Sequence, residues 1–320
     1  MWSVFRSIWS HISCFPCHGS RSIQLEEEDI EEHFTTHQVS DEDPLPNGKH
    51  STEEEQTETV HPIDEYLHQL NQSGLIKSEK SVNLAAMMKT VFDGNHTLIS
   101  IDMEGCSKGV KEVSEIGVSV YVADEQRGSS VPFIRSAHII IRHSKEINDK
   151  AKTTAKSFNG KTSLCMTTNQ VQLALNGLIL EHSKNNTRGE GICIVGHGLS
   201  NELRVLTMLK VNVGQARTID TSAFLCQTHG PEYLSLGNAL LLMRLPYAFL
   251  HNAGNDAYYA LLLCICLANP TYRSAARIDE KVVMEEFFKR NCRKSNNYLI
   301  ESCRWKRLQS DLRSHTLEQP

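Results

Sequence analysis

The sequence lacks several patterns that identify common classes of protein. It has no run of 18 or more apolar residues, so we expect no transmembrane helix. Gly196-His197-Gly198 has neither the spacing nor the lysine of a phosphate-binding P-loop. Gly198-Leu199-Ser200-Asn201-Glu202 lacks the final glycine of a nucleophile elbow, which argues against a serine hydrolase. No internal repeat is visible, which argues against a solenoid or a propeller.

Cysteine is present, but it supplies no disulfide framework. The ten cysteines are scattered, and Cys193, Cys264 and Cys266 lie in apolar runs where a reduced thiol packs as a small hydrophobe. This usage is typical of a reducing compartment, so we expect a cytoplasmic or nuclear protein. The start of the chain, residues 1–18, has apolar side chains at helical spacing. Such spacing is typical of an amphipathic segment, so a mitochondrial location and weak contact with a membrane surface stay open as alternatives.

Charge is distributed unevenly along the 320 residues. Residues 1–60 contain 13 acidic and 3 basic side chains, whereas the whole chain has a formal charge of −5. So polar a segment buries too little apolar surface to offset chain entropy, and we predict that 1–60 is a disordered acidic tail with a short amphipathic start. Residues 61–94 are interpreted as a helical lead-in and 271–320 as a basic helical extension. The extension either contacts nucleic acid or is a solvated helical face.

Apolar periodicity predicts a mixed α/β domain over residues 95–270. Three strands come first and form an antiparallel meander, and two more alternate with helices. We therefore predict a mixed five-stranded sheet with flanking helices rather than a Rossmann repeat. The predicted strands are 97–104, 113–122, 131–142, 192–195 and 217–220, and the predicted helices are 62–71, 80–92, 170–183, 200–209, 235–243 and 254–268. The segment 143–168 is interpreted as a loop.

Two acidic residues end the first strand of this domain. Asp102 and Glu104 are two positions apart, so both side chains leave the same face of the strand. Adjacent carboxylates repel each other, and a hard divalent cation such as Mg²⁺ or Mn²⁺ removes that repulsion. An isolated Asp-x-Glu is more often a solvated strand end. Here the preceding apolar residues 98–101 indicate a buried strand terminus and favour a site.

A histidine and an aspartate flank the start of the most apolar helix. His251 precedes Asp256 by five residues, and Asp256 falls in the first helical turn. The structural alternatives are stabilisation of the helix dipole by Asp256 and a satisfied structural role for His251. The functional interpretation is a metal ligand beside a general base, which together perform metal-assisted hydrolysis. Each structural alternative is favoured separately, whereas the combination with Asp102 and Glu104 favours the site.

Taken together, these segments resemble the DEDDh exonuclease superfamily, whose fold is ribonuclease H-like. Asp102-Met103-Glu104 matches the first motif, and Ser114–Val118 resembles the strand that usually follows. Val195–Leu203 resembles the second motif, and His251–Asp256 fits the His-x4-Asp third motif. The resemblance covers about residues 95–270. The amino-acid sequence of the third motif is most similar to that of a fungal group of nuclease-like domains linked to messenger RNA export.

The resemblance implies a metal-dependent 3′–5′ exonuclease that acts on the ends of single-stranded RNA or DNA. Two ions, Mg²⁺ or Mn²⁺, would support in-line hydrolysis of a phosphodiester bond. The implied metal ligands are four acidic residues: Asp102, Glu104, Glu202 and Asp256. His251 would be the general base, and the expected substrate contacts are His197, Asn201 and Asn252. For His197 the structural alternative is a side chain that only packs or caps.

Glu202 departs from the family pattern, which usually has aspartate at that position. The extra methylene moves the carboxylate by roughly 1.5 Å, and misplacement on that scale can lower a rate by about 10²-fold. The alternative function is therefore a weakly active or inactive nucleic-acid-binding or protein-binding module in messenger RNA export or processing. Its partners would include messenger RNA export proteins.

Overall fold

A computed structural model describes residues 13–14, 60–76, 78–105, 113–126, 131–142, 156–160, 162–184, 189–228 and 234–291. The described residues 13–14 and those from 61 onward belong to one compact unit. The predictions for the acidic tail fall outside the described residues, apart from 13–14 and Val60. Those for the basic extension beyond residue 291 also fall outside.

The domain is built on a mixed sheet. Its strands are β1 (Ser13–Cys14), β2 (Thr97–Glu104), β3 (Glu115–Tyr121), β4 (Arg135–Ile141), β5 (Ser163–Met166), β6 (Ile192–Gly196) and β7 (Arg217–Asp220). The sheet order is β1-β4-β3-β2-β6-β7. Strands β2, β3 and β4 form an antiparallel meander, and β6 and β7 extend it in parallel from β2.

The five predicted strands are present, but the sheet has two more. Strand β5 pairs in parallel with β4 inside the segment that we interpreted as a loop. It has four residues, of which only Met166 is buried, so no alternation marks it in the sequence. Strand β1 pairs antiparallel with residues 135–136 of β4 and lies inside the predicted disordered tail. Both corrections concern strands too short to show a period.

Helices cover both faces of the sheet. They are α1 (Pro62–Gln72), α2 (Ser78–Phe92), α3 (Thr168–Lys184), α4 (Ser200–Met208), α5 (Thr221–Leu225), α6 (Leu236–Leu242), α7 (Ala253–Ala268), α8 (Pro270–Ala276) and α9 (Lys281–Asn291). The five-residue helix α5, which Asp220 caps, was not predicted. No helix in the described part of the chain combines the length and hydropathy that a bilayer span requires.

Alternation along β2 divides the core in two. Ile99, Ile101 and Met103 belong to a core on the face that carries α3 and α4. Leu98 belongs to a second core, on the face that carries α7. Asp102 and Glu104 share the parity of Leu98, so they emerge on the α7 side of the sheet.

The first turn of α7 contacts the sheet beside the two acidic residues. Gly117 on β3 lies opposite Asp102. A β-carbon built on Gly117 would lie 1.7 Å from the carbonyl oxygen of Ala253, the first residue of α7. Glycine is required here because the helix backbone occupies the space of a side chain. This close approach brings the His251–Asp256 segment to the end of β2.

A buried ion pair ties the lead-in and the region after residue 270 to the domain. Arg273 is fully buried, and its Nε donates to Oδ2 of Asp279 at 3.1 Å. The hydroxyl of Tyr66 on α1 also donates to Asp279, and the guanidinium carbon lies 5.9 Å from the centre of the Phe224 ring. Helices α1, α2, α5, α7 and α8 contribute to one apolar core. The predicted limits at 94 and 270 therefore do not separate cores.

Candidate active site

Three of the predicted site residues come together at the end of β2. Ligand atoms of Glu104, His251 and Asp256 all lie within 4.8 Å of one another. Glu104 is the last residue of β2, and Asp256 lies in the first turn of α7. His251 lies just before that helix, so one packing contact, between α7 and the sheet, assembles the group.

Asp256 is held in this group by the backbone of His251. The backbone nitrogen of His251 donates to Oδ2 of Asp256 at 2.9 Å. The other oxygen, Oδ1, is buried and has no hydrogen-bond partner. Burial raises the pKa of Asp256 to about 7; the hydrogen bond from His251 opposes the shift, and the charge of Glu104 adds to it. Burial and the neighbouring Glu104 thus both disfavour the negative charge of Asp256.

Asp102 lies among the other carboxylates. Burial raises its pKa well above the ordinary value, and the negative charges of Asp256, Glu202 and Glu104 raise it further. Three elements of the fold, β2, α4 and α7, therefore direct negative charge at one carboxyl group. This is the arrangement that a bound cation would stabilise.

Glu202 lies on the inner side of α4, in its first turn. Only 8% of it is exposed, and its Oε2 is buried without a hydrogen-bond partner. Burial raises its pKa, and the negative charges of Asp220 and Glu104 add to the shift. The negative charge of Glu202 contributes to the raised pKa of Asp102, and that of Glu104 contributes to the raised pKa of Glu202, so Glu202 is electrostatically coupled to the acidic residues of β2.

The chemistry of these residues fits a hard divalent cation. The four acidic side chains offer carboxylate oxygens, which Mg²⁺ and Mn²⁺ prefer. Two of these oxygens, Glu202 Oε2 and Asp256 Oδ1, are buried and have no hydrogen-bond partner among the residues that the structure describes. Such groups cost free energy unless a ligand, ion or water satisfies them.

His251 is presented at the rim of the cluster by a strained backbone. It is exposed, and its φ angle is 64°, in the left-handed region that non-glycine residues rarely adopt. This conformation costs on the order of 1–2 kcal/mol. The hydrogen bond from its nitrogen to Asp256 holds it there. Residues strained in this way are concentrated at functional sites.

The three predicted substrate contacts lie in different environments. Nε2 of His197 donates to the carbonyl oxygen of Leu234 at 2.6 Å, and Nδ1 lies 2.8 Å from the hydroxyl of Thr221. Asn252 is 1% exposed and caps α7 by accepting from the backbone nitrogen of Asn255. Asn201 is exposed in the first turn of α4. The first two are thus engaged inside the protein, and contact with substrate stays a prediction for all three.

Asn255 is an organising residue that the sequence reasoning missed. It is fully buried, and its Nδ2 donates to the carbonyl oxygens of Ser157 and Phe249, each at 2.9 Å. Its Oδ1 accepts from the backbone nitrogen of Asn159 at 3.0 Å. One amide therefore fixes two loops against the start of α7. The sequence did contain one signal, a side-chain amide in the first turn of an otherwise apolar helix. A buried amide needs hydrogen-bond partners, so this signal would have indicated contacts with other segments.

A buried pair behind the cluster was also missed. Glu115 and His138 are both at most 1% exposed, and Nε2 of the histidine lies 3.0 Å from a carboxylate oxygen of Glu115. Nδ1 of His138 lies 2.7 Å from the hydroxyl of Ser163. Glu115 stands opposite Glu104 in the sheet, and its charge contributes to the raised pKa of Asp102. Ser163, the partner of Nδ1 of His138, lies on β5, a strand that the sequence did not reveal.

Asp220 positions the turn that leads to Glu202. Its carboxylate accepts from the backbone nitrogens of Gly198 at 2.9 Å and Leu199 at 3.0 Å, and also from that of Ser222. These bonds fix the connection between β6 and α4 in the absence of a side-chain cap on α4. The direction of Glu202 therefore depends on the end of the neighbouring strand β7.

Comparison with known proteins identifies relatives of the domain. The family model described as "DNA polymerase III subunit epsilon-like, C-terminal domain" matches residues 97–267. The uncharacterized protein YDR514C of Saccharomyces cerevisiae is 28% identical over 240 residues, 66% of this chain and 48% of its own length. Good for full DBP5 activity protein 2 of the same yeast is 29% identical over 235 residues, 63% of this chain and 39% of its own length.

A solved structure was also matched, the RNase domain of the yeast Pop2 protein. It is 16% identical, covers 59% of this chain and 82% of its own, and superposes with a TM-score of 0.35. The chain spans about half the length, or less, of the two curated yeast relatives. The match to the family model covers more than half of the 320 residues and both ends of the acidic site. The chain belongs to the DEDDh family of DNA polymerase III subunit epsilon-like domains.

Proposed function

We propose that this chain is a metal-dependent 3′–5′ exonuclease that hydrolyses phosphodiester bonds at the ends of single-stranded RNA or DNA. One observation carries the proposal: ligand atoms of Glu104, His251 and Asp256, from β2 and the start of α7, lie within 4.8 Å of one another. The negative charges of Glu104, Asp256 and Glu202 also act on the neighbouring Asp102. The partnerless buried oxygens of Glu202 and Asp256 support a cation as the missing partner.

The acidic residues would act by holding cations. Asp102, Glu104, Glu202 and Asp256 would hold two Mg²⁺ or Mn²⁺ ions, since the negative charges of Asp256, Glu202 and Glu104 all act on the carboxyl group of Asp102. Bound there, the ions supply Lewis acidity and lower the pKa of water. The carboxylates orient this charge toward the scissile phosphate. Because their negative charges raise one another's pKa values, a bound cation would relieve this repulsion.

His251 would take a proton from the attacking water. Its imidazole is exposed at the rim, within 4.8 Å of ligand atoms of Glu104 and Asp256. Its backbone is bonded to Asp256, so the base and a metal ligand keep a constant relative position. Such positioning is a large part of what an enzyme contributes to a hydrolysis.

The second candidate function is a module that binds nucleic acid or protein and hydrolyses poorly. The name of one relative, Good for full DBP5 activity protein 2, describes support for the activity of another protein. Glutamate in place of the usual aspartate at position 202 favoured this alternative. The inward direction of Glu202 weakens that argument, since the longer side chain enters the carboxylate cluster.

Degradation of 5′-labelled single-stranded RNA and DNA with Mg²⁺ or Mn²⁺ separates the two functions. We expect the wild type to shorten the 5′-labelled strand progressively from its 3′ end. Addition of a chelator should stop this shortening. Asp102→Asn removes the central charge and should abolish shortening, whereas Asp124→Asn, at an exposed position, should leave it unchanged. If the wild type leaves the labelled strands at full length with either Mg²⁺ or Mn²⁺, the result would support the binding module instead.

A further inference from the structure

An exposed aromatic side chain lies beside the candidate active site. Phe249 is 62% exposed and precedes His251 by two residues. Its φ angle is 53°, so a large side chain lies in solvent on a left-handed backbone. Solvent exposure of a ring and a strained backbone are each unfavourable. Their coincidence at a site rim indicates a role that the fold alone does not require.

Helix α7 holds Phe249 in this conformation. The carbonyl oxygen of Phe249 accepts from Nδ2 of the fully buried Asn255 at 2.9 Å. The nitrogen of the preceding residue, Ala248, donates to the hydroxyl of Tyr259 at 3.0 Å. Two residues of extended chain span at most about 7 Å, so the backbone of Phe249 stays close to that of His251. The backbone that carries the exposed ring is therefore fixed close to His251.

A basic residue lies on the neighbouring segment. Nδ2 of Asn255 also donates to the carbonyl oxygen of Ser157, again at 2.9 Å, so the backbones at 157 and 249 lie side by side. The residue before Ser157 is Lys156, which is exposed. An aromatic and a basic residue, both exposed, thus lie on two segments that Asn255 joins at the start of α7. Grooves for single-stranded nucleic acid use this pairing, with rings for bases and cations for phosphates.

Resting on the proposed function, we infer that Phe249 stacks on the base of the 3′-terminal nucleotide and Lys156 contacts a phosphate of the same strand. Stacking accepts every base because each has a flat π face. The substrate class is therefore a single-stranded 3′ end of any sequence. A terminal base that is paired in a duplex must first be released before it can occupy this position.

Binding measured without hydrolysis tests the inference. Fluorescence anisotropy with a labelled short oligouridylate is measured in the Asp102→Asn background, with Mg²⁺ present. Phe249→Ala should weaken binding by about 10- to 100-fold, as expected for loss of one stacked base. Phe249→Trp should retain it. The matched control is Phe133→Ala, which removes another exposed ring, 40% accessible and outside the site.

Substrate variants locate the contact. An oligonucleotide with an abasic residue at its 3′ end should bind wild type and Phe249→Ala equally, whereas one with a 5′ abasic residue should still distinguish them. Lys156→Gln should reduce the slope of log affinity against log salt by about 0.7, the value for one phosphate contact on a single strand. Equal losses on both abasic oligonucleotides, or no loss on the intact one, would overturn the stacking role.

The outcomes also separate this inference from the proposed function. If the wild type fails to hydrolyse any strand but binding still depends on Phe249 and the 3′ base, the exonuclease proposal fails and the stacking site stands. If the wild type hydrolyses single strands and Phe249→Ala leaves both binding and rate unchanged, the exonuclease stands and the stacking site fails.

Discussion

Removal of metal should make the stability of this protein fall as the pH rises, chiefly because of Asp256. Its pKa is raised from 3.8 to about 7 in the folded protein. The folded state therefore holds a proton that the unfolded state has already lost. The resulting stability is fully present below about pH 4 and is lost as the pH rises through about 7. The raised pKa values of Asp102 and Glu202 act in the same direction.

The size of the effect follows from the shift. Each unit of pKa corresponds to about 1.4 kcal/mol, so three units give on the order of 4 kcal/mol as an upper bound. Asp256→Asn removes the charge and keeps an oxygen that accepts from the nitrogen of His251. We expect the variant to be more stable than the wild type by about 2–4 kcal/mol near pH 8, and nearly equal to it near pH 4.

Urea unfolding followed by circular dichroism, with a chelator present, measures this difference at each pH. Glu65→Gln is the control, since Glu65 is exposed on α1 and its replacement should change the unfolding free energy by less than about 0.5 kcal/mol. Mg²⁺ should restore the wild type near pH 8, by about 2.7 kcal/mol at one hundred times the dissociation constant, and should act less on Asp256→Asn. A metal-free wild type that gains stability over this pH range would refute the reasoning.

Three further predictions follow from named contacts. Glu202→Asp should withdraw the carboxylate by roughly 1.5 Å and lower single-turnover cleavage by about 10²-fold; an unchanged rate would mean that Glu202 is not a ligand. Gly117→Ala should destabilise the protein by about 3 kcal/mol in urea, because its β-carbon would overlap the carbonyl of Ala253. Arg273→Met should cost about 3–5 kcal/mol by leaving Asp279 charged and buried, and adding Asp279→Asn should recover part of that loss in a double-mutant cycle.

The sheet and the acidic residues were predictable from the sequence because they depend on local patterns. Strand β2 has the bounds that its apolar run and terminal acids predicted. Helix α7 begins within one residue of its predicted start, since Asn252 caps it and the apolar run is long. The family's spacing placed Asp102, Glu104 and Asp256 in one site, and the packing of α7 on Gly117 supplies the physical reason.

The supporting contacts were not predictable, because they join segments far apart in the chain. Asn255 reaches Ser157, 98 positions away, and His138 reaches Ser163 on a strand of four residues. No periodicity marks either partner. His197 was expected either to contact substrate or to pack and cap, and its two ring nitrogens have partners on α5 and at residue 234, while the substrate contact stays a prediction. A single polar residue in a loop does not reveal which way its donors point.

The third motif combines two requirements that explain its composition. A residue without a side chain is needed at Gly254, the second residue of α7, since a β-carbon there would lie 2.7 Å from atoms of both His138 and Phe158. Polar residues are needed around it, since Asn252 caps the helix and Asn255 holds both flanking loops. Only with the helix start this close to the sheet does Asp256 reach Glu104. The segment therefore packs the helix against the sheet and also supplies one metal ligand and one base. Substitutions of Gly254, Asn252 or Asn255 should for this reason reduce cation affinity although none of them replaces a ligand.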